Sequence, residues 1–598
     1  MQSSVRRSAR NECVPERRPH GWRRAVNVGH EQMRRRGWVA QAGVAGLLLI
    51  FCPLSAAALT NVVTEHYDIA RTSQNTTETI LTPANVNWDQ FGKWFSYPVD
   101  GYVYAQPLYL PGVNIPGKGT HNVLFVATEH DSVYAFDADD NAGVNATPLW
   151  QITLLDAAHG AAGGATTVPS SDFAGNTDIV PEIGITGTPV IDPTTGTLYV
   201  VGKTKENGTQ VQRLHALDVT TGAEKTSFNS PVRLQASVLG GTGSTVTWDP
   251  HWENQRPGLL LLHGIVYIGF AAHGDQGPWH GWILAYNAAT LQQTGAFCTT
   301  SHGSGSSGSG VWMSFAADVV DPVNRPHGRL FLATGNGSFN AAPPYTNSMD
   351  YGNGILRLDL TNGVPTVTDS FTPFNQQSLS NADMDTGSGG VVLLPDQTLG
   401  SPRLLIQAGK EGRIFLVDRD HMGGYSTSRD AIVQEVPTAP ATTGYQINGL
   451  SGAPAYWNGN VYFWGSHGDH LKAFSLTKGL LSTAPMAQSM EVSGPGDSSG
   501  PVPAVSANGN TNGVVWTIDS TASVLRAHDA LDVARLLYSS DENGSRDALG
   551  DAVKFTVPTV INGKVYVGAQ YQVSVYGPRV ATPTLSPPEG GRTPDRRR

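Results

Sequence analysis

Charge is scarce in this 598-residue chain, where only 15% of residues are Asp, Glu, Lys or Arg. So thin a supply excludes a coiled coil and a charge-rich disordered chain. Cysteine is scarcer, at three. Cys13 and Cys52 fall in the first 58 residues, which leaves Cys298 alone and no intrachain disulfide in the remainder. There is no CxxCH, so the chain carries no covalent haem of its own. Long apolar runs are also missing. The most apolar stretch, residues 42–54, is 13 residues long, short of the roughly 20 that span a bilayer.

That short stretch has another reading. Arg34, Arg35 and Arg36 precede it, and Ala56-Ala57-Ala58 follow it with the small side chains that signal peptidase accepts. Residues 1–58 therefore read as an export leader, with residues 1–32 upstream of a Met33 that would open a well-formed leader by itself. Residues 579–598 are Pro- and Arg-rich without apolar pattern and read as a disordered tail. Both ends are basic. Without them the body, residues 59–578, holds 24 basic and 44 acidic residues, a net charge of −20. Such a body lacks the basic face of a nucleic-acid binder. The expectation is a periplasmic or secreted protein with no membrane span in the mature chain.

What the chain has in excess is glycine, 68 residues, and proline, 38. They punctuate a repeat. Its unit is a strand near a Pro, a turn, a strand like "LYVVG" and a strand like "LHALDVTTG". Eight copies run from Pro107 to Pro558 at a mean spacing of 64 residues. Alternating apolar residues between Gly, Asn and Asp mark the segments as strands. The fold class is therefore all-β, an eight-bladed β-propeller. The last copy is one strand short, so residues 91–99 are expected to complete it and close the ring. Two smaller propellers joined at 301–310 are the competing layout. The innermost strands carry Gln106, Thr186, Thr188, Gln255, Arg256, Ser314, Ser388, Ser451, Ser499 and Thr556, which predicts a wet, polar channel.

The segment Ala216-Leu217-Asp218-Val219-Thr220-Thr221-Gly222 resembles the AxDxxTG blade signature of the pyrroloquinoline quinone (PQQ) dehydrogenase superfamily. Four elements between Trp248 and Asp420 extend the resemblance to the quinoprotein alcohol dehydrogenases. "HGDQGPWHG" puts Asp275 where that family has an acidic calcium ligand. "GVWMSF" and "ATGNGSFN" put Trp312 at the position that stacks on the quinone and Asn336 at a calcium-ligand position. "SNADMDTG" offers Asp383 and Asp385 for the family's catalytic carboxylate, which also ligates calcium, and spacing does not choose between them. "AGKEGRIFLVDRD" puts Lys410 at the quinone-oxygen contact. Arg256, on an inner strand, joins Trp312 and Lys410 as a cofactor-binding candidate.

The resemblance implies a calcium- and PQQ-dependent oxidoreductase. It would oxidise an alcohol or sugar hydroxyl and pass electrons to a separate acceptor. Calcium takes several hard oxygen ligands, which Asp275, Asn336 and an Asp from the 383/385 pair would supply. The family's vicinal Cys-Cys is absent, and Asp178 and Glu182 in "DIVPEIG" stand near its place. Two readings remain beside the enzyme: a non-catalytic propeller scaffold, and a carbohydrate binder using Trp248, Trp252 and Trp279. A zinc site of His273, Asp275 and His280 is a further, weaker reading.

Overall fold

The computed structural model describes residues 60–579 apart from 174–177, 320–322, 324, 439–445 and 496–498. The leader and the tail lie outside the described residues. The described chain is an eight-bladed β-propeller. Blade 1 pairs Leu108–Ile115, Gly119–Ala127, Ser132–Asp137 and Trp150–Thr153 in consecutive antiparallel order. The next six blades repeat that order, with inner strands at Val190–Asp192, Leu260–Leu262, Ala316–Asp318, Val392–Leu393, Ala455–Trp457 and Ala504–Asn508. In the eighth sheet Thr559–Ile561 pairs with Lys564–Pro578, which pairs in turn with Phe91–Tyr102.

The core is distributed between blades instead of gathered at one centre. One cluster joins Tyr199 and Val201 of blade 2 to Val266 and Ile268 of blade 3. Another joins Tyr267 and Ile283 of blade 3 to Leu330 and Leu356 of blade 4. The series continues round to a cluster that holds Ile561 and Tyr566 of blade 8 with Leu108 and Tyr109 of blade 1. Middle strands such as Ser132–Asp137, Arg329–Ala333 and Leu404–Ala408 therefore bury both faces, whereas outer strands such as Ala487–Val492 alternate between buried and exposed. Tyrosine hydroxyls tie neighbours together. Tyr199 donates to the Ala288 carbonyl at 2.9 Å, Tyr462 to Ala530 at 2.7 Å and Tyr566 to Ala138 at 2.8 Å.

The AxDxxTG segment has a visible cause. Asp218 Oδ1 accepts from the Thr220 N–H at 2.8 Å, closing an Asx turn that reverses the chain. Gly222 sits at φ +76° with no room for a side chain, because a Cβ would lie 2.8 Å from Trp150 of the preceding blade. Trp150 Nε1 donates to the Val219 carbonyl at 3.0 Å. The repeat thus encodes a turn together with the surface that receives the next blade.

One end of the central channel is filled by the chain itself. Residues 62–75 touch the inner strand or inner turn of every blade. Val62 exchanges hydrogen bonds with Tyr109 of blade 1, and the Val63 carbonyl accepts from Ile191 of blade 2. Arg71 donates to the carbonyls of Leu259 (blade 3, 3.2 Å) and Phe315 (blade 4, 3.0 Å). Ala70, Thr72 and Ser73 accept from Leu393, Tyr456 and Val505 of blades 5, 6 and 7. Asn75 and Tyr67 donate to Val560 and Pro558 of blade 8. This lace takes up residues expected to line a wet channel: Gln106 accepts from the His66 N–H at 2.8 Å, and Thr188 reaches Glu65. The lace fills part of the channel that the sequence predicted to be wet and polar, while Arg256, Ser388 and Ser451 still line a cavity.

Candidate functional site

At the other end of the axis a cavity of about 290 Å³ is lined by Asp178, Arg256, Gly274, Asp275, Trp312, Asp385, Ser388, Lys410, Ser451 and Phe555. Five of the seven side chains expected from the sequence share its wall. Asn336 and Asp383 adjoin it without lining it.

Trp312 stands just before the inner strand of blade 4. Its ring is buried, edge-on to Trp279 at a centroid distance of 5.8 Å. Close backbone approach makes this possible. A Cβ on Gly310 would lie 2.9 Å from Trp312 Nε1, and one on Gly335 would lie 2.5 Å from the same atom. Trp312 Nε1 is itself buried without a hydrogen-bond partner.

Asp385 is buried and held by two donors. The Asn336 backbone N–H reaches Oδ1 at 2.6 Å, and the Lys410 ammonium reaches Oδ2 at 2.6 Å. Lys410 also lies 3.3 Å from Asp383 Oδ2. Burial works against the charge on Lys410, but Asp385 and Asp383 outweigh it and hold its pKa above the ordinary lysine value. Asp383 is largely exposed, at φ +55°, and accepts from Asn336 Nδ2 at 2.8 Å. The two aspartates left equivalent by the sequence are therefore in different places. Asp385 faces the cavity, and Asp383 sits on the rim. Asn336 spends its side-chain oxygen on Asn353 Nδ2, at 2.7 Å.

Asp275 enters from a turn of blade 3 in which Gly274 and Asp275 both have positive φ. Its carboxyl is pushed up to about 6, first by loss of water on the cavity side and then by Asp385 and Asp383, with Lys410 opposing. Arg256 is buried on the opposite wall. Its guanidinium lies over Phe555 at 4.3 Å and Trp312 at 5.0 Å, and pairs with Asp178 at 3.2 Å. Lys554 completes the group with an ion pair to the other Asp178 oxygen at 2.7 Å.

Among the described residues no three His, Cys, Asp or Glu side chains stand together so as to hold a metal by themselves. The zinc reading accordingly has no support. His273 is stacked on Phe173 at 4.2 Å, and His280 pairs with Thr300. A calcium ion would need Asn336 and oxygens of a bound ligand beside the carboxylates. The oxygen donor set suits calcium in type, and the repulsion that raises Asp275 is what a divalent cation would relieve. A planar anionic ring is suited by the Trp312 platform, with Arg256 beside it and Lys410 lining the same cavity.

Sequence reasoning missed Phe555, Lys554 and the lace. Phe555, at φ +66° just before the inner strand of blade 8, lines the cavity, and Lys554 meets the site through Asp178; neither carries a local signal. Glu65, His66, Asp68 and Arg71, four titratable side chains within seven residues of a charge-poor chain, were the available signal for the lace.

No protein-family model matches the chain, and no curated protein matches it. Among solved structures it is similar to the quinohemoprotein alcohol dehydrogenase ADHIIG from Pseudomonas putida HK5. That match has a TM-score of 0.51 and 16% identity over 90% of this chain and 82% of the other. It is also similar to a europium-containing methanol dehydrogenase, with a TM-score of 0.52 and 13% identity over 87% of this chain and 98% of the other. At these identities the likeness is one of fold alone.

Proposed function

We propose that the protein is an exported quinone-dependent oxidoreductase that takes PQQ and calcium and oxidises the hydroxyl of an alcohol or sugar. The observation that carries this reading is the convergence of Trp312, Arg256, Lys410, Asp275 and Asp385 on one cavity from blades 3, 4 and 5. Both solved structures named above are, by their own descriptions, dehydrogenases of alcohols.

Each side chain has a task that follows from its surroundings. Trp312 offers a rigid aromatic face, held from behind by Trp279. Arg256 and Lys410 supply the positive charge that a planar polycarboxylate needs. Asp275 and Asp385 would hold the calcium, with Asn336 joining them if its side-chain oxygen turned from Asn353 to the ion. A quinone held there would supply the hydride acceptor, and a calcium ion would supply Lewis acidity beside it. Asp385 is the base: it is buried, faces the cavity and is fixed by the Asn336 N–H and Lys410, so its carboxylate can take the substrate hydroxyl proton. Lys410, beside that carboxylate, balances negative charge at the reacting end. Without a haem motif in the chain, the electrons leave to a separate carrier.

The test is steady-state dye reduction with PQQ, calcium and a panel of alcohols and aldoses. Activity should fall by about 1,000-fold in Asp385→Asn and by less than about 10-fold in Asp383→Asn. Equal loss in both variants, or no turnover of any hydroxylated substrate by the parent protein, overturns the reading.

A further inference from the structure

Behind the front cavity, on the same axis, lies a second and smaller one, lined by Glu65, His66, Tyr104, Thr186, Arg256, Met313, Ser314 and Phe555 among others. The two cavities share Arg256 and Phe555, so this pair forms the partition between them. Glu65 and His66, which belong to the lace, form the floor of the rear chamber. The face of Arg256 turned from the front cavity therefore looks onto an acid supplied by a segment outside the blade repeats.

Glu65 is built into that place. The Gly258 N–H donates to Glu65 Oε2 at 3.2 Å, and the Thr188 hydroxyl lies 3.4 Å from Oε1. Gly258 is two residues from Arg256, and a Cβ there would lie 2.5 Å from Glu65 Oε2. The inner strand of blade 3 thus leaves out a side chain where the lace inserts its carboxylate. Arg71 donates to the Glu65 carbonyl at 2.6 Å and fixes that stretch of backbone. The charged and titratable groups facing Glu65 are Arg71 and His66 on the lace and Arg256 on blade 3. Those facing Arg256 from the front are Asp178, Asp385 and Asp275.

We propose that Glu65 is a positioning residue of the front site, which faces Arg256 across the rear cavity and sets how strongly that guanidinium attracts an anionic ring. The inference rests on the quinone reading for its ligand, but not for the residue pair. Arg256 lies against two aromatic rings, pairs with Asp178 in front and faces Glu65 across the rear cavity without a direct ion pair. When Glu65 is ionised it offsets part of the Arg256 charge, and when it is neutral the full charge faces the cavity. Burial raises the carboxyl of Glu65, with Arg71 opposing most strongly, so the exchange between these states falls above the ordinary glutamate range.

Two measurements test this. In the first, PQQ is titrated into the full chain from pH 5 to pH 9, with and without Glu65→Gln. The variant should bind increasingly more tightly than the parent as pH rises, by about 3- to 10-fold across the range, because only the parent acquires the opposing charge. The other charged groups of the site are common to both proteins and cancel in the ratio. A Glu65 that served packing alone would not move this ratio with pH.

The second measurement is a double-mutant cycle of Glu65→Gln and Arg256→Met in urea unfolding without cofactor. The effect of Glu65→Gln on the unfolding constant should differ by about 3-fold or more between the two backgrounds. A pH-independent ratio together with an additive cycle overturns the proposal. Should the parent bind no PQQ at any pH, the quinone reading falls, and the cycle alone decides the role of Glu65.

Discussion

Replacing Arg71 by Met should cost the ring more stability than any rim substitution, because one side chain there ties three parts of the fold. Arg71 is fully buried and donates to the Phe315 carbonyl at 3.0 Å, Leu259 at 3.2 Å, the Glu65 carbonyl at 2.6 Å and Thr64 Oγ1 at 2.8 Å. Methionine fills much of the volume but donates nothing. Three buried carbonyls would lose a charged donor, each at about 1–3 kcal/mol. Glu65 and Asp68 would also lose a counter-charge. The terms overlap and do not add fully, and relief from burying a guanidinium offsets part of the loss. A net cost of about 3–5 kcal/mol results. Urea unfolding followed by tryptophan fluorescence reads it as a lower midpoint at unchanged slope. Arg403→Met is the comparison: that side chain makes a half-exposed pair with Asp420 at 2.7 Å and should cost less than about 1 kcal/mol. A loss below about 1 kcal/mol for Arg71→Met would refute the view that the lace carries ring stability.

Three other outcomes are expected. Glu129 is fully buried, and its carboxyl is pushed up to about 8 by burial against the Gly184 N–H and the Thr186 hydroxyl, with Glu182 and Asp178 adding to the rise. Its folded pKa exceeds the unfolded value, so it removes stability as pH rises from about 4.5 to about 8, by a few kcal/mol. Urea midpoints at pH 5 and pH 8.5 should converge in Glu129→Gln, and an unchanged gap contradicts the assignment. Lys410→Gln takes the ammonium from Asp385 and should lower dye-reduction turnover by about 100-fold with the fold intact by circular dichroism; a parent-like turnover would remove Lys410 from the mechanism. Gly335→Ala forces a methyl against Trp312 Nε1 and Asp385 and should cost about 1–3 kcal/mol, read by thermal unfolding, and weaken quinone retention. Unchanged stability would show that the wall can relax.

Much of the ring was legible because a repeat writes its packing locally. The Asp218 turn, the Gly222 contact and the Trp150 anchor lie within one blade junction, so their pattern recurs wherever blades meet. Trp312, Lys410 and the Asp383/Asp385 pair were named from the motifs around them, and the structure brings Trp312, Lys410 and Asp385 to one cavity. The lace had no such grammar. His66, Tyr67, Arg71 and Ser73 all adopt positive φ without being glycine, a conformation their own propensities disfavour and the surrounding ring imposes. Gln106 and Thr188 were misread for the same reason. Their polarity serves the lace and not solvent. The choice between Asp383 and Asp385 also needed three dimensions, because one short loop turns the first outward and the second inward.

The account stands on the front cavity's taking a planar anionic quinone, and gel filtration tests that most directly. The protein is equilibrated with PQQ and calcium, separated from free cofactor, and read for quinone absorbance in the protein peak. The expected result is about one quinone per chain, reduced at least 10-fold in Arg256→Met and in Trp312→Ala. A protein peak without quinone absorbance at saturating PQQ and calcium would contradict it.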